Sequence, residues 1–201
     1  MVVQDVEDEG KAGRDIWGLI GVMVCLLGID AGTTSIKCVL FDQAGRVLAS
    51  GMSEYELSMP QPGFVEVEAE TYWNAFKDAL AKILKESNVD AQKISGAAVS
   101  SQGETFLTLD RDGKPLRRAI VWLDNRSGEE ARLIRDRFGV DEIYRVTGQN
   151  EVIPTWPATK ILWLKRNEPA IYMRASRYLL LEDYLTYRLT GKFSTEYSVV
   201  C

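Results

Sequence analysis

An apolar strand that runs directly into a glycine- and threonine-rich turn constrains this chain more than any other feature. Val22–Ile29 is short and almost entirely apolar, which is typical of a fully buried strand. Asp30–Ser35 (DAGTTS) then predicts a tight turn, Ile36–Phe41 predicts a second strand, and Arg46–Tyr55 predicts a third. The sequence therefore predicts a fold that opens with three antiparallel strands, with the polar turn between the first two.

The residues of this turn are suited to holding an anion. Gly32 allows a ligand to approach the backbone closely, and Thr33 and Thr34 offer hydroxyl and amide donors. The carboxylate of Asp30 is placed to hold Mg²⁺, directly or through water, and Lys37 adds a positive charge near a bound phosphate. A plain hairpin turn, with threonines that favour strands, is the competing interpretation. No GxxxxGK[ST] sequence occurs, so the turn is not a P-loop.

The rest of the chain alternates between helical and strand patterns. Apolar residues at helical spacing begin at Tyr72, and the strand that follows this helix predicts a crossover onto the sheet. The Asp-Gly pair at Asp112 predicts a hairpin. The predicted elements are a helix ending near Ser87, a strand at Ile94–Ser100, hairpin strands at Thr105–Leu109 and Leu116–Trp122, helices at Ser127–Phe138, Asp141–Val146 and Thr155–Asn167, a strand at Tyr178–Leu181 and a helix at Glu182–Thr190.

Composition narrows the class of protein. With 201 residues, 46% apolar and 26% charged, the chain is long enough for one globular domain with its own core. A net charge of -5 provides no basic surface for nucleic acid. The absence of histidine excludes Ser-His and Cys-His nucleophiles and argues against a zinc site. Three scattered cysteines, Cys25, Cys38 and Cys201, indicate a reducing, cytoplasmic location.

One segment is apolar enough to raise the question of a membrane. Ile16–Ile29 is a run of 14 mostly apolar residues, which is too short to span a bilayer comfortably. The acidic segment Asp5–Glu9 before it is unlike the basic start of a signal peptide. We therefore expect no membrane association, a leader of unassigned role at residues 1–21, and one domain at residues 22–201.

Five segments resemble one protein family, and they occur in the family's order. Leu27–Lys37 (LGIDAGTTSIK), followed by Val39–Asp42 (VLFD), resembles the first phosphate motif of the FGGY carbohydrate kinases. The other similar segments are Pro62–Glu66 (PGFVE) with Trp73, Ser101–Thr105 (SQGET), Ala119–Arg126 (AIVWLDNR), and Pro157–Lys160 with Leu162–Pro169. The resemblance covers roughly Leu26–Ser198, and five matches in order make a chance similarity improbable.

The resemblance implies both a fold and a reaction. The fold is α/β, an actin-like ATPase (ribonuclease H-like) domain, in which a mixed sheet with three antiparallel opening strands is flanked by helices. FGGY kinases transfer the γ-phosphate of ATP, with Mg²⁺, to a sugar or polyol hydroxyl in a cleft between two such domains. Asp30 would lie at the metal and phosphate, and Thr33 and Thr34 would face the transferred group. The residues implied for the sugar site are Gln102, Gly103, Glu104, Asp124 and Arg126.

Four of these sugar-site residues also have a purely structural interpretation. Gln102 and Glu104 suit a solvated turn, and Asp124 and Arg126 suit a local ion pair that caps the next helix. Trp122, between the two groups, is expected to pack in the core rather than to form a platform for a sugar.

Two departures from the family pattern limit these expectations. Glycerol kinases carry an arginine where this chain has Gly103, and xylulokinases carry a Met-His pair near the same turn, so the resemblance supports neither substrate. The family's catalytic Asp, second phosphate motif and adenosine site lie beyond the position of Cys201. We therefore expect no catalytic residue within this chain, no activity of the chain alone, and a C-terminal kinase domain as its missing partner.

Two other functions stay open at this point. One is an actin/Hsp70-type ATPase without sugar chemistry, against which the SQGET and WLDNR segments argue. The other is a non-catalytic, sugar-binding remnant of a kinase. Such a remnant would present an uncovered apolar interface and would self-associate as a homo-oligomer.

Overall fold

Two four-stranded sheets with helices packed against them make up residues 24–197, the part of the chain that the computed structural model describes. The strands are β1 (Cys25–Ala31), β2 (Ser35–Asp42), β3 (Val47–Glu54), β4 (Glu66–Val67), β5 (Ile94–Ser101), β6 (Phe106–Leu109), β7 (Ala119–Ile120) and β8 (Arg177–Leu180). The helices are α1 (Ala69–Ser87), α2 (Gly128–Phe138), α3 (Val140–Thr147), α4 (Pro157–Asn167), α5 (Pro169–Arg174) and α6 (Leu181–Thr190). The predicted leader at residues 1–21, and the first residues of the first predicted strand, lie outside the described residues.

The first sheet has the strand order β3-β2-β1-β5. β2 is antiparallel to both β1 and β3, which confirms the predicted opening unit. β5 is parallel to β1, and α1 forms part of the predicted crossover that brings the chain back to it. Because the pairing is parallel, Ala31 at the end of β1 lies opposite Ser101 at the end of β5. The turns that follow these two strands therefore emerge at one edge of the sheet.

α1 covers one face of the first sheet with its apolar side. Tyr72 and Ile83 are fully buried members of that side, and they recur at helical spacing. Gly51 of β3 lies beneath the helix, where a Cβ would come within 2.9 Å of Ile83 Cγ2 and 3.0 Å of Ala79 O. A glycine at this position therefore lets the helix and the sheet approach closely.

The second sheet, with the order β4-β7-β6-β8, is antiparallel throughout. The predicted hairpin around Asp112 is present, but the predicted strand Leu116–Trp122 was too long, since only Ala119–Ile120 pairs as β7. The chain leaves the sheet there because a turn closes, with Asp124 N donating to Val121 O at 3.0 Å. The sequence did not predict that these strands form a sheet of their own.

The helix predictions are confirmed to within a residue or two for α2, α3, α4 and α6. α5 was not predicted, because its six residues are too few to show a helical period. α2, α3 and α6 are each followed by a glycine of positive φ, namely Gly139, Gly148 and Gly191. Within residues 24–197, no helix has the length and apolar character needed to cross a membrane.

Candidate active site

The glycine- and threonine-rich turn, which we call the phosphate turn (residues 30–35), lies where β1 passes into β2. Gly32 N donates to Ser35 O at 2.9 Å and closes the turn. A Cβ on residue 32 would come within 3.3 Å of the Ser35 carbonyl oxygen, so a side chain there would crowd the turn. Among the described residues the Thr33 amide has no acceptor, which leaves its N–H available to an anion.

Asp30 and Lys37 flank the phosphate turn on neighbouring strands. They lie opposite each other in the β1–β2 ladder, and both are exposed, as is Thr34 within the turn. Across residues 24–197 neither side chain takes part in an ion pair. The carboxylate and the ammonium group are therefore both accessible to charged ligands at this edge of the sheet.

The turn that follows β5, which we call the sugar turn (residues 101–105), carries Gln102, Gly103 and Glu104. It contacts the phosphate turn directly, because Gln102 N donates to Ala31 O at 2.9 Å. Glu104 adopts a left-handed conformation, with a φ of 61°. Such a backbone costs a residue other than glycine about 1 kcal/mol or more, and residues held in this way cluster at functional sites.

Glu104 lines a cavity of about 570 Å³, large enough for a small-molecule ligand. Phe106, Trp156 and Tyr178 form apolar parts of its wall, and Asp183 adds a second carboxylate. Gly103, which precedes Glu104 in the sequence, is exposed. A Cβ at this position would meet no atom within 4 Å. The backbone of the sugar turn therefore does not require glycine at position 103.

The side chain of Gln102 points into the protein rather than to its surface. Its amide oxygen and nitrogen are both buried and have no hydrogen-bond partner among the described residues. The hydroxyl of Tyr72 approaches this amide without a hydrogen bond of normal geometry, and it too has no partner there. Buried polar groups of this kind are usually satisfied by an ordered water or a ligand hydroxyl, for which the Gln102 amide offers donors and an acceptor.

Trp122 links the two turns, and the expectation that it packs in the core was wrong. The side chain is 36% exposed. Its indole N–H donates to Thr33 Oγ1 at 3.0 Å, and its backbone N–H donates to Thr105 Oγ1 at 2.9 Å. The residue therefore joins the phosphate turn to the end of the sugar turn. Because an indole can only donate, the Thr33 hydroxyl accepts from it and keeps its own hydrogen for another acceptor.

Asp124 and Arg126 are fully buried in a group of charged side chains that we call the ion cluster (Glu66, Arg117, Asp124, Arg126 and Glu168). Arg126 Nη2 lies 2.8 Å from Asp124 Oδ2 and 2.7 Å from Glu66 Oε1. Asp124 Oδ2 also accepts from Val65 N at 2.6 Å. The local ion pair is therefore present, but it holds the segment before β4 rather than capping α2. A direct contact of either side chain with substrate stays a prediction.

The remaining members of the ion cluster connect β4 to the end of α4. Arg117 pairs with Glu66 and, at 3.1 Å, with Glu168. The guanidinium of Arg126 also lies over the ring of Phe64, at 3.9 Å from the ring centroid. Charge pairing and ring stacking in the interior thus join the PGFVE and WLDNR segments, in addition to the backbone hydrogen bonds between them.

Lys160 is a buried cation, and the sequence did not predict its burial. It lies on α4 with no exposed surface, and its Nζ donates to Thr155 O at 2.8 Å and to Val121 O at 3.2 Å. Burial lowers the pKa of Lys160 to about 8, an effect that the nearby carboxylates of Asp124 and Glu104 partly offset. The side chain thereby ties the segment before α4 to the residue that precedes Trp122.

Comparison with known proteins identifies the family. The model of the FGGY family of carbohydrate kinases, N-terminal domain, matches residues 25–201. The chain belongs to the FGGY family of carbohydrate kinases. It is 35% identical over 176 residues to the xylulose kinase of Bacillus subtilis, an alignment that covers 88% of this chain and 35% of that protein. To the glycerol kinase of Thermococcus gammatolerans it is 34% identical over 179 residues, covering 86% and 36%.

Solved structures of FGGY kinases share the fold. The crystal structure of gluconate kinase from Lactobacillus acidophilus matches with a TM-score of 0.81 and 29% identity, over 89% of this chain and 35% of that one. The predicted fold class, an actin-like ATPase domain with a mixed sheet, is confirmed. The FGGY chain described here thus spans about 35% of the length of the relatives that it matches.

Proposed function

We propose that this chain is the N-terminal domain of a kinase that transfers the γ-phosphate of ATP to a hydroxyl group of a sugar or polyol. The observation that carries the proposal is the contact between the two turns. Gln102 N donates to Ala31 O, and Trp122 Nε1 donates to Thr33 Oγ1, so a group bound at one turn lies beside the other. Phosphoryl transfer depends chiefly on such positioning of the phosphate and its acceptor.

The phosphate turn would bind the terminal phosphates of ATP. The Thr33 N–H and hydroxyl hydrogen have no acceptor among residues 24–197, and Thr34 is exposed beside them. Gly32 keeps the backbone accessible, and Lys37 supplies a positive charge one strand away. Hydrogen bonds from such donors to phosphate oxygens are charge-assisted and are stronger than neutral ones.

Asp30 would hold Mg²⁺. Within residues 24–197 no group of three or more acidic or cysteine side chains could enclose a metal ion, so a metal at Asp30 would take few of its ligands from these residues. That donor set fits Mg²⁺, which retains several waters and takes its other oxygens from substrate phosphates. When bound, the ion would neutralise charge on the phosphates of ATP.

The sugar turn would bind the hydroxyl groups of the acceptor. Glu104 supplies a carboxylate to the cavity, and the buried amide of Gln102 has unmet donors and acceptors. Asp124 and Arg126 would act through the ion cluster, which holds the segment that follows Trp122. The relatives are named for xylulose, glycerol and gluconate, and we propose only the shared class, a sugar or polyol.

The buried free thiols of Cys25 and Cys38 favour a cytoplasmic location.

The test is ADP formation by the longest natural protein that contains this chain, measured with a panel of pentoses, hexoses, sugar acids and polyols. We expect ADP formation that depends on one or more of these acceptors. ATP hydrolysis that no acceptor stimulates would favour an actin/Hsp70-type ATPase instead. Acceptor-dependent turnover by residues 1–201 alone would contradict the expectation that the general base lies beyond Cys201.

A further inference from the structure

Tyr55 holds the phosphate turn at two points. It directly follows β3, and its backbone N–H donates to Thr34 O at 2.9 Å. Its phenolic hydroxyl donates to Gly32 O at 2.5 Å. The position of Tyr55 is itself fixed by the β2–β3 ladder, in which Ser35 lies opposite Glu54. The carbonyl groups of Gly32 and Thr34 thus both accept hydrogen bonds from Tyr55.

The planarity of the Gly32–Thr33 peptide fixes the direction in which the Thr33 N–H points. In a planar trans peptide the carbonyl of one residue and the N–H of the next point to opposite sides. Because the Gly32 carbonyl points to the Tyr55 hydroxyl, the Thr33 N–H points away from Tyr55. That N–H has no acceptor among the described residues, and the Thr33 hydroxyl hydrogen is likewise unused. Both donors of Thr33 are therefore left to an external acceptor.

We propose that Tyr55 is a positioning residue of the phosphate site, which holds the Gly32–Thr33 peptide so that the Thr33 N–H faces a bound phosphoryl group. This inference rests on the proposed function of the phosphate turn. Tyr55 itself does not touch the phosphate, since its hydroxyl is occupied by Gly32 O. It also remains a donor at neutral pH, because burial, and to a smaller extent the carboxylate of Asp30, raise the pKa of its phenol above the ordinary value of a tyrosine.

Tyr72 provides a matched control within the same cluster. Its ring packs edge to face on the ring of Tyr55, with centroids 5.2 Å apart and an interplanar angle of 84°. Its hydroxyl, unlike that of Tyr55, has no hydrogen-bond partner among the described residues. Replacing either tyrosine by phenylalanine keeps the ring and removes one hydroxyl, so the two variants differ in whether a hydrogen bond to the phosphate turn is lost.

The experiment records proton–nitrogen correlation spectra of the 201-residue chain during titration with inorganic phosphate. We expect phosphate to shift the Thr33 amide resonance of the unsubstituted chain. Tyr55→Phe should weaken phosphate binding about two- to tenfold, the effect of one hydrogen bond, whereas Tyr72→Phe should leave it unchanged. Phosphate binding by Tyr55→Phe that equals the unsubstituted chain would overturn the inference, as would an equal loss in both variants.

Two further measurements separate the possible failures. No shift of the phosphate turn in the unsubstituted chain would count against the proposed function itself. The carbonyl carbon resonance of Gly32, measured without phosphate, should move in Tyr55→Phe and stay in place in Tyr72→Phe; if it stays in both, the hydrogen bond that carries the inference is absent.

If Tyr55→Phe does not fold, a fluorotyrosine at position 55 keeps the hydroxyl. Its fluorine resonance should respond to phosphate, and no response would overturn the inference.

Discussion

At the scale of single residues, the proposed site depends on hydrogen bonds that cross long distances in sequence. Trp122 and Thr33 are 89 residues apart, yet one indole N–H joins them. The phosphate turn itself could be predicted from residue types alone, because glycine and short polar residues after an apolar strand favour a tight turn. The link to Trp122 could not, because no local pattern distinguishes a tryptophan that packs in a core from one that donates across a cleft.

Replacing Trp122 by phenylalanine should weaken binding of MgATP. The substitution removes the donor to Thr33 Oγ1 and leaves the hydroxyl free to rotate, so we expect a loss of about two- to tenfold in affinity by calorimetry. Trp73→Phe is the control, because Trp73 packs on Phe76 of α1 and donates no hydrogen bond to either turn among the described residues. Unchanged affinity in Trp122→Phe would show that the link is not needed for nucleotide binding.

Lys160 should make stability depend on pH in a defined window. Its folded pKa of about 8 lies below its ordinary value of 10.5, so between these values the unfolded chain holds a proton that the folded chain lacks. The free energy of unfolding therefore gains a contribution that rises with pH from about 8 to about 10.5. Below pH 8 the side chain is charged in both states, and the contribution has no slope.

Comparing the unsubstituted chain with Lys160→Met isolates this contribution from other titrations, such as that of Cys38, whose pKa burial raises to about 12. We expect the difference in unfolding free energy between the two chains, from urea denaturation, to grow with pH across the window. A difference that does not change from pH 7 to 10.5 would mean that burial does not lower the pKa of Lys160 in the folded chain.

At the scale of elements, the packing of α1 on the first sheet can be tested at Gly51. A Cβ there would press on Ile83 and on the Ala79 carbonyl, so Gly51→Ala should reduce the free energy of unfolding by about 1–3 kcal/mol. Gly103→Ala is the control, because its Cβ would meet no atom within 4 Å and its backbone needs no positive φ. Equal stabilities of the two variants in thermal melts would disprove this close approach of helix and sheet.

The ion cluster should matter more for stability than exposed ion pairs do. Arg126→Met leaves the buried carboxylate of Asp124 without an ion-pair partner and Glu66 with Arg117 alone, and such breaks cost about 3–5 kcal/mol. Arg145→Met, which removes an exposed pair with Glu142, should change stability far less, because solvent screens exposed pairs. If Arg126→Met is instead stable but loses sugar binding, Arg126 contacts the substrate, as the family resemblance implied.

The same cluster shows why part of the elements could not be predicted. The strands of the first sheet and α1 follow from hydrophobic period and turn residues, both of which are local. β4 and β7 have two residues each, too few for any period, and the contact between Glu66 and Arg126 that accompanies their pairing joins residues 60 positions apart. Lys160 was missed for a related reason, since a lysine is usually exposed and only the tertiary fold shows its carbonyl partners.

At the scale of the whole molecule, parallel pairing of β1 with β5 decides where the candidate site lies. It brings Ala31 and Ser101 level, so the turns after them share one edge and contact each other. Ligands of open α/β sheets commonly bind beyond the carboxyl ends of adjacent strands, and this edge fits that rule. The crossover was predictable from the order of strand, helix and strand, but the register that aligns the two turns was not.

The central claim is that the phosphate turn and the sugar turn are two halves of one site. Its most direct test is to map the resonances that MgATP and, separately, sugars and polyols perturb in the 201-residue chain. The account predicts that MgATP shifts the amides of Thr33 and Thr34, that an acceptor shifts those of Gly103 and Glu104, and that either ligand also shifts the indole of Trp122. Perturbations confined to residues outside both turns, for either ligand, would contradict it.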